Sequence, residues 1–149
     1  MTGRDKNLVM TPEERKDLLL NIVKGLAEIQ LRKFGGITPF GATLGLGRDI
    51  TMIKPKSTPR EVSADQVAAY FQKQLLEAVS QRPLTAVCYC ADVLAQSTTG
   101  EMIPGFFVHF EQPEGVSENM VYPYSIGNDS KLNFGPPTCV TVELEVFRP

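Results

Sequence analysis

Pro83-Leu84-Thr85-Ala86-Val87-Cys88-Tyr89-Cys90-Ala91-Asp92-Val93-Leu94 decides the fold class. The proline bars further helix behind a helical pattern. The residues after it are small, β-branched or aromatic and suit a strand. From here to the C-terminus the pattern stays extended, with strands expected over 84–94, 105–111, 119–125 and 138–147. In the last of these Val140, Val142, Leu144 and Val146 share one face, and Thr141, Glu143, Glu145 and Phe147 share the other. Gln112-Pro113-Glu114-Gly115 reads as a hairpin loop between two of these strands. Pro123 suits an edge or a strand end.

Working back from Pro83, Val67, Tyr70, Phe71, Leu75, Ala78 and Val79 mark the buried stripe of a helix that Ser63 opens, with Gln66 at the capping-box position. Before it, residues 37–46 and 50–53 read as a β-hairpin around Gly45-Leu46-Gly47-Arg48-Asp49. A first helix starts at Thr11-Pro12-Glu13-Glu14, where Thr11 caps, Pro12 takes the first helical position and Glu14 completes the capping box. Leu18, Leu19, Ile22, Val23, Leu26 and Ile29 recur at helical spacing, Glu28 can pair with Arg32, and Gly35-Gly36 ends the helix. Residues 1–10 read as a loose arm. The expected fold is one α+β domain over 1–149, in the order α-β-β-α-β-β-β-β. Short connections predict a single antiparallel sheet of about six strands with both helices on one face.

Composition narrows the function classes. With 42% hydrophobic and 21% charged residues in 149, the chain can bury one core and is neither disordered nor fibrous. Fifteen basic against seventeen acidic residues argues against a nucleic-acid binder. No apolar run approaches the roughly 18–20 residues of a membrane span. The N-terminus has no secretion-signal core, and three cysteines, an odd number, fit a reducing cytoplasm better than a disulfide scaffold.

No motif carries a complete chemistry. Gly41-Ala42-Thr43-Leu44-Gly45-Leu46-Gly47 lacks the following Gly-Lys-Ser/Thr of a phosphate loop, and Ile50 stands where a dinucleotide loop needs Gly or Ala. Cys88, Cys90, Cys139 and His109 could be drawn as a zinc set, but without a CxxC knuckle the cysteines read as buried packing residues. No cofactor, metal site or catalytic residue is expected. His109, the only histidine, shares a strand face with Phe107 and Glu111. The pair could act as a general base, with Asp92 on a neighbouring strand, or simply decorate the wet side of the sheet. Tyr122 and Tyr124 flank Pro123 on one face and could pack or line a groove. The candidate ligand-binding residues are therefore His109, Glu111, Asp92, Tyr122 and Tyr124, with Tyr89 beside them.

Phe34, Thr38-Pro39-Phe40-Gly41-Ala42, the strand at 86–93, Val108-His109-Phe110-Glu111 and Tyr122-Pro123-Tyr124 together give a resemblance. The chain resembles a group of small uncharacterised bacterial α+β proteins over most of residues 34–135. The resemblance implies a bacterial cytoplasmic protein and transfers no activity or site residue. Two functions compete. One is a non-enzymatic protein-interaction or regulatory module, for example an immunity-type partner, and sheet edges in need of cover predict a homodimer. The other is a small-molecule binder or enzyme with its site near Tyr89, Asp92, His109 and Glu111.

Overall fold

A computed structural model of the chain describes residues 10–54, 64–97, 99–114, 117–129 and 131–147. The expected helix opening at Ser63 and most of the N-terminal arm lie outside these residues. Helix α1 spans Pro12–Phe34 and α2 spans Ala64–Gln81. The strands are β1 Phe40–Gly45, β2 Ile50–Ile53, β3 Leu84–Gln96, β4 Met102–Glu111, β5 Ser117–Ile126, β6 Leu132–Phe134 and β7 Thr138–Thr141.

Local chemistry sets the ends of α1. The Thr11 hydroxyl accepts from the Glu14 amide at 3.1 Å, and Glu14 accepts from the Thr11 amide at 3.1 Å. Gly35 closes the helix at φ 73°, a left-handed turn that suits glycine. Glu28 and Arg32 pair at 2.7 Å. Gln112, buried at the far end of β4, ties the helix start to the sheet: it accepts from Arg15 Nε at 2.8 Å and donates to the Pro12 carbonyl at 3.0 Å.

The strands form one antiparallel sheet, ordered β2-β1-β3-β4-β5-β6, with β7 also paired to β5. Pro123 falls where β7, opposite residues 118–121, gives way to β6, opposite 124–126. Its missing amide donor thus sits at a seam of the ladder.

The two helices do not share a face. Leu19, Val23, Ala27 and Leu31 of α1 pack on Ala42, Ala86, Cys88, Cys90, Phe106, Val108 and Phe110. Phe71 and Leu75 of α2 pack on Val87 and Tyr89, which alternate with those cysteines along β3 and so point to the opposite side. At Gly41 a Cβ would lie 3.2 Å from the Phe71 ring and 3.3 Å from the Cys88 carbonyl, so the missing side chain lets α2 close on the sheet. Expecting both helices on one face overlooked that β3 is apolar on both sides, and one-sided packing would leave Val87 and Tyr89 wet. The α1 stripe keeps Leu19 and Val23 of the expected one, with Leu18 and Leu26 partly buried against the core, but is shifted around the helix. Leu20, Ala27 and Leu31 are buried, while Ile22 is half-buried and Ile29 is 50% exposed.

The last strand is shorter than the alternation predicts. It ends at Thr141, and residues 142–147 cross the α2 face as an irregular tail that buries Val146 against Phe71, Leu75 and Tyr89. Val142 N–H donates to the Ser117 carbonyl at 3.0 Å, and the Ser117 hydroxyl donates to the Glu143 carbonyl at 3.2 Å. The amides beyond them turn to a side chain instead of a neighbouring strand.

Candidate functional site

The sequence-predicted site residues separate onto the two faces. Asp92, Tyr122 and Tyr124 lie on the α1 face; Tyr89, His109 and Glu111 lie on the face covered by α2 and the tail. They form two clusters with the sheet between them.

On the α1 face, Tyr122 is a core residue. Its hydroxyl donates to Met120 Sδ at 3.7 Å, and Lys24 Nζ sits 4.2 Å from its ring centroid. Tyr124 donates to Asp92 Oδ1 at 2.8 Å, and the Ile37 amide donates to Asp92 Oδ2 at 3.5 Å. This pair closes the far end of the face, beyond the last turn of α1. Cys88 and Cys90 are buried here as well. Their side chains point away from His109, so these three residues cannot hold a common ion.

The tail face holds the denser polar cluster. His109 and Glu111 are both fully buried, against the expectation of wet decoration; what covers them is the tail. Glu111 Oε1 accepts from the amides of Val146 at 2.9 Å and Phe147 at 3.2 Å, and Oε2 accepts from the Glu145 amide at 3.0 Å. His109 Nε2 lies 2.6 Å from Glu111 Oε2 and 3.8 Å from Glu145 Oε1. Its Nδ1 lies 2.6 Å from Asn119 Oδ1, on the strand residue directly opposite. The ring stacks on Tyr89 with centroids 5.0 Å apart, and Glu145 lies near the Tyr89 hydroxyl.

This geometry sets the protonation. An amide oxygen faces one ring nitrogen and a carboxylate the other, so both nitrogens must donate unless another cation intervenes. Burial opposes a charged ring. The hydrogen bonds to Glu111 and Asn119 and the charge of Glu145 outweigh it, and His109 titrates above its ordinary value. Burial likewise opposes the Glu111 carboxylate, but His109 and the three tail amides hold its pKa below the usual range. Burial, then the charges of Glu145 and Glu111, push the Tyr89 hydroxyl up.

Asn119 and Glu145 were not among the predicted site residues. Asn119 was within one residue of reach: a loop confined to 112–115 sets Glu118 opposite His109, whereas the ladder pairs Glu111 with Ser117 and His109 with Asn119. Glu145 was not, since its position depends on a tail that leaves the strand pattern. The chain matches no family model, no curated protein and no solved structure.

Proposed function

We propose that this chain is a non-enzymatic protein-interaction module that receives an extended partner segment along β2 and the groove beside it. The observation that carries the reading is the groove itself. Leu26, Ile29 and Phe34 of α1, with Pro39, Phe40 and Met52, give it apolar walls. Phe34 is 77% exposed and Ile29 50%. Lys33 and Lys54 stand at its rim, and no acidic residue lines it. Beside it β2 has no further strand on its outer side among the described residues. An edge strand next to an apolar trough suits strand addition, with alternate side chains filling the trough. The two lysines select a segment that carries carboxylates among its apolar residues. Enclosure of His109 and Glu111 supports the same reading over the enzyme alternative, because a general base must reach its substrate.

A second copy is assigned to the opposite edge. Thr138-Cys139-Val140-Thr141 of β7 is exposed throughout and carries no charge to oppose pairing with itself. A chain that dimerises there gives a dimer mass by light scattering, and Val140→Asp returns it to monomer.

Selection from a displayed random-peptide library tests the groove. The expected ligands alternate apolar residues with Asp or Glu, lose binding to Phe34→Asp, and lose it again to a Lys33→Glu/Lys54→Glu double variant. Selected peptides without acidic residues, binding unchanged by Phe34→Asp, or no enrichment would each overturn the reading.

A further inference from the structure

We propose that His109, Glu111 and Glu145 form a site for a first-row divalent cation, which staples the C-terminal tail to the sheet. One ligand atom from each residue lies within 4.8 Å of the others. Two of the three side chains are fully buried, which separates this cluster from the exposed acidic groups common on protein surfaces.

Ring orientation is the first argument. Asn119 takes the Nδ1 proton, so an ion that displaces the Nε2 proton meets a lone pair already facing two carboxylates. Metal-ligating histidines are usually held this way, by an acceptor on the other ring nitrogen. The three amides on Glu111 play the matching part for that carboxylate, and Oε2 still presents a lone pair to Nε2.

Charge is the second argument. Two carboxylates meet one imidazole, with the imidazole and one carboxylate fully buried and the other, Glu145, at the rim. A proton on the ring cancels one negative charge and leaves the other, whereas a divalent cation with a neutral ring cancels both. Buried charge is costly unless it is paired, so the cation is the better match.

Reach is the third. Zinc bonds of about 2.0–2.2 Å to nitrogen and oxygen hold tetrahedral ligand atoms roughly 3.3–3.5 Å apart. To reach that span the 2.6 Å hydrogen bond from Nε2 to Glu111 has to open and the 3.8 Å gap to Glu145 has to close slightly. Glu145, with its side chain 31% exposed on irregular backbone, reaches the cluster from its rim and can adjust to a bound ion. One nitrogen and two oxygens suit zinc, manganese or iron(II) better than calcium, which takes six or more oxygens.

The test uses the full chain carrying Cys139→Ser, so that the exposed thiol cannot contribute. Chelator-treated protein is dialysed against zinc and its metal content measured. The expected result is one retained equivalent, a raised melting temperature, and slower protease cleavage of the tail. Cobalt(II) in place of zinc should give visible ligand-field bands without thiolate charge transfer. Glu145→Gln preserves the amide contacts to Glu111 and should fold as the parent does, with zinc affinity lower by about tenfold or more. No retained equivalent, thiolate charge transfer, or unchanged affinity in Glu145→Gln would each overturn the proposal. So would nitrogen NMR shifts showing His109 still doubly protonated in excess zinc. None of these readouts involves the groove at β2, so the two proposals fail separately.

Discussion

On the α1 face, Leu19, Val23 and Ala27 meet Ala42, Cys88 and Val108 through apolar contacts. Across the sheet, His109 and Glu111 are as completely buried, but they are held by hydrogen bonds, each of which has a direction. Apolar burial holds α1 down without fixing its rotation closely, since many nearby placements remove similar area from water. That is how the buried stripe could be 19-20-23-27-31 where 18-19-22-23-26-29 was expected, with only Leu19 and Val23 common to both. The polar cluster instead fixes one path for the tail, because three consecutive amides must converge on one carboxylate. Breaking each face in turn should therefore give different signatures.

Glu111→Ala should be the most damaging change. It strands a buried imidazole and leaves three tail amides without their acceptor. Removing one partner of a buried pair costs about 3–5 kcal/mol. Urea denaturation should show that loss, and limited proteolysis should show cleavage within 142–147 before global unfolding. A tail as protected as in the parent protein would break the contrast between the faces.

On the other face, Leu19→Ala should cost about 2–5 kcal/mol through the lost burial and the cavity left behind. The tail should stay protected, and the loss should be equal in mildly acidic and mildly alkaline buffer. A loss that varied with pH would mean that the two faces are coupled through β3 and β4.

How far the fold was legible follows from the same contrast. The hairpin of β1 and β2, the long β3 and β4, and the caps of α1 all follow from local chemistry at Thr11, Gly35, Gly47 and Pro83, and they stand as expected. The placement of α2 was legible in principle, because Val87 and Tyr89 alternate with Cys88 and Cys90 and both sets need cover. The tail was not. Val140, Val142, Leu144 and Val146 alternate as a strand should, and only the long-range demand of Glu111 for donors stops β7 at Thr141. β6, three residues at Leu132–Phe134, carries too little pattern to be seen. For the same reason the burial of His109 and Glu111 was hidden: alternation along β4 places them on the right face, but what covers that face comes from the end of the chain.

In the metal-free protein, pH should separate the faces again. His109 titrates above its ordinary value, so its share of stability is complete below about 6.5 and is lost as pH rises through the folded value. Glu111 titrates below its ordinary value, so its share is complete above about 4.5 and is lost as pH falls through the folded value. The cluster should therefore contribute most between those limits, with up to roughly 1.4 kcal/mol at stake per unit of displacement. Denaturation midpoints across that range should trace the dome, and His109→Gln should flatten its alkaline side. An unchanged alkaline side would mean that the ring is neutral when folded.

The smallest effects should come from two tyrosines that each reach a carboxylate, one per face. Tyr124 donates to Asp92 at 2.8 Å at the open end of the α1 face, where Asp92 is exposed. In Tyr124→Phe, water replaces the lost donor at once, and a hydrogen bond of this kind should be missed by about 0.5 kcal/mol. Tyr89 is 4% exposed, and its hydroxyl meets Glu145 beside the buried imidazole. In Tyr89→Phe the ring still stacks on His109, but Glu145 loses the hydroxyl near it. The expected cost is nearer 1 kcal/mol, and the excess should appear as faster cleavage of the tail, since Glu145 is part of the tail. Tyr124→Phe should leave that cleavage rate unchanged. Thermal melts and proteolysis of the two variants side by side measure both quantities. Equal proteolysis rates would show that Tyr89 serves only as a packing ring, and that the tail is held by Glu111 alone.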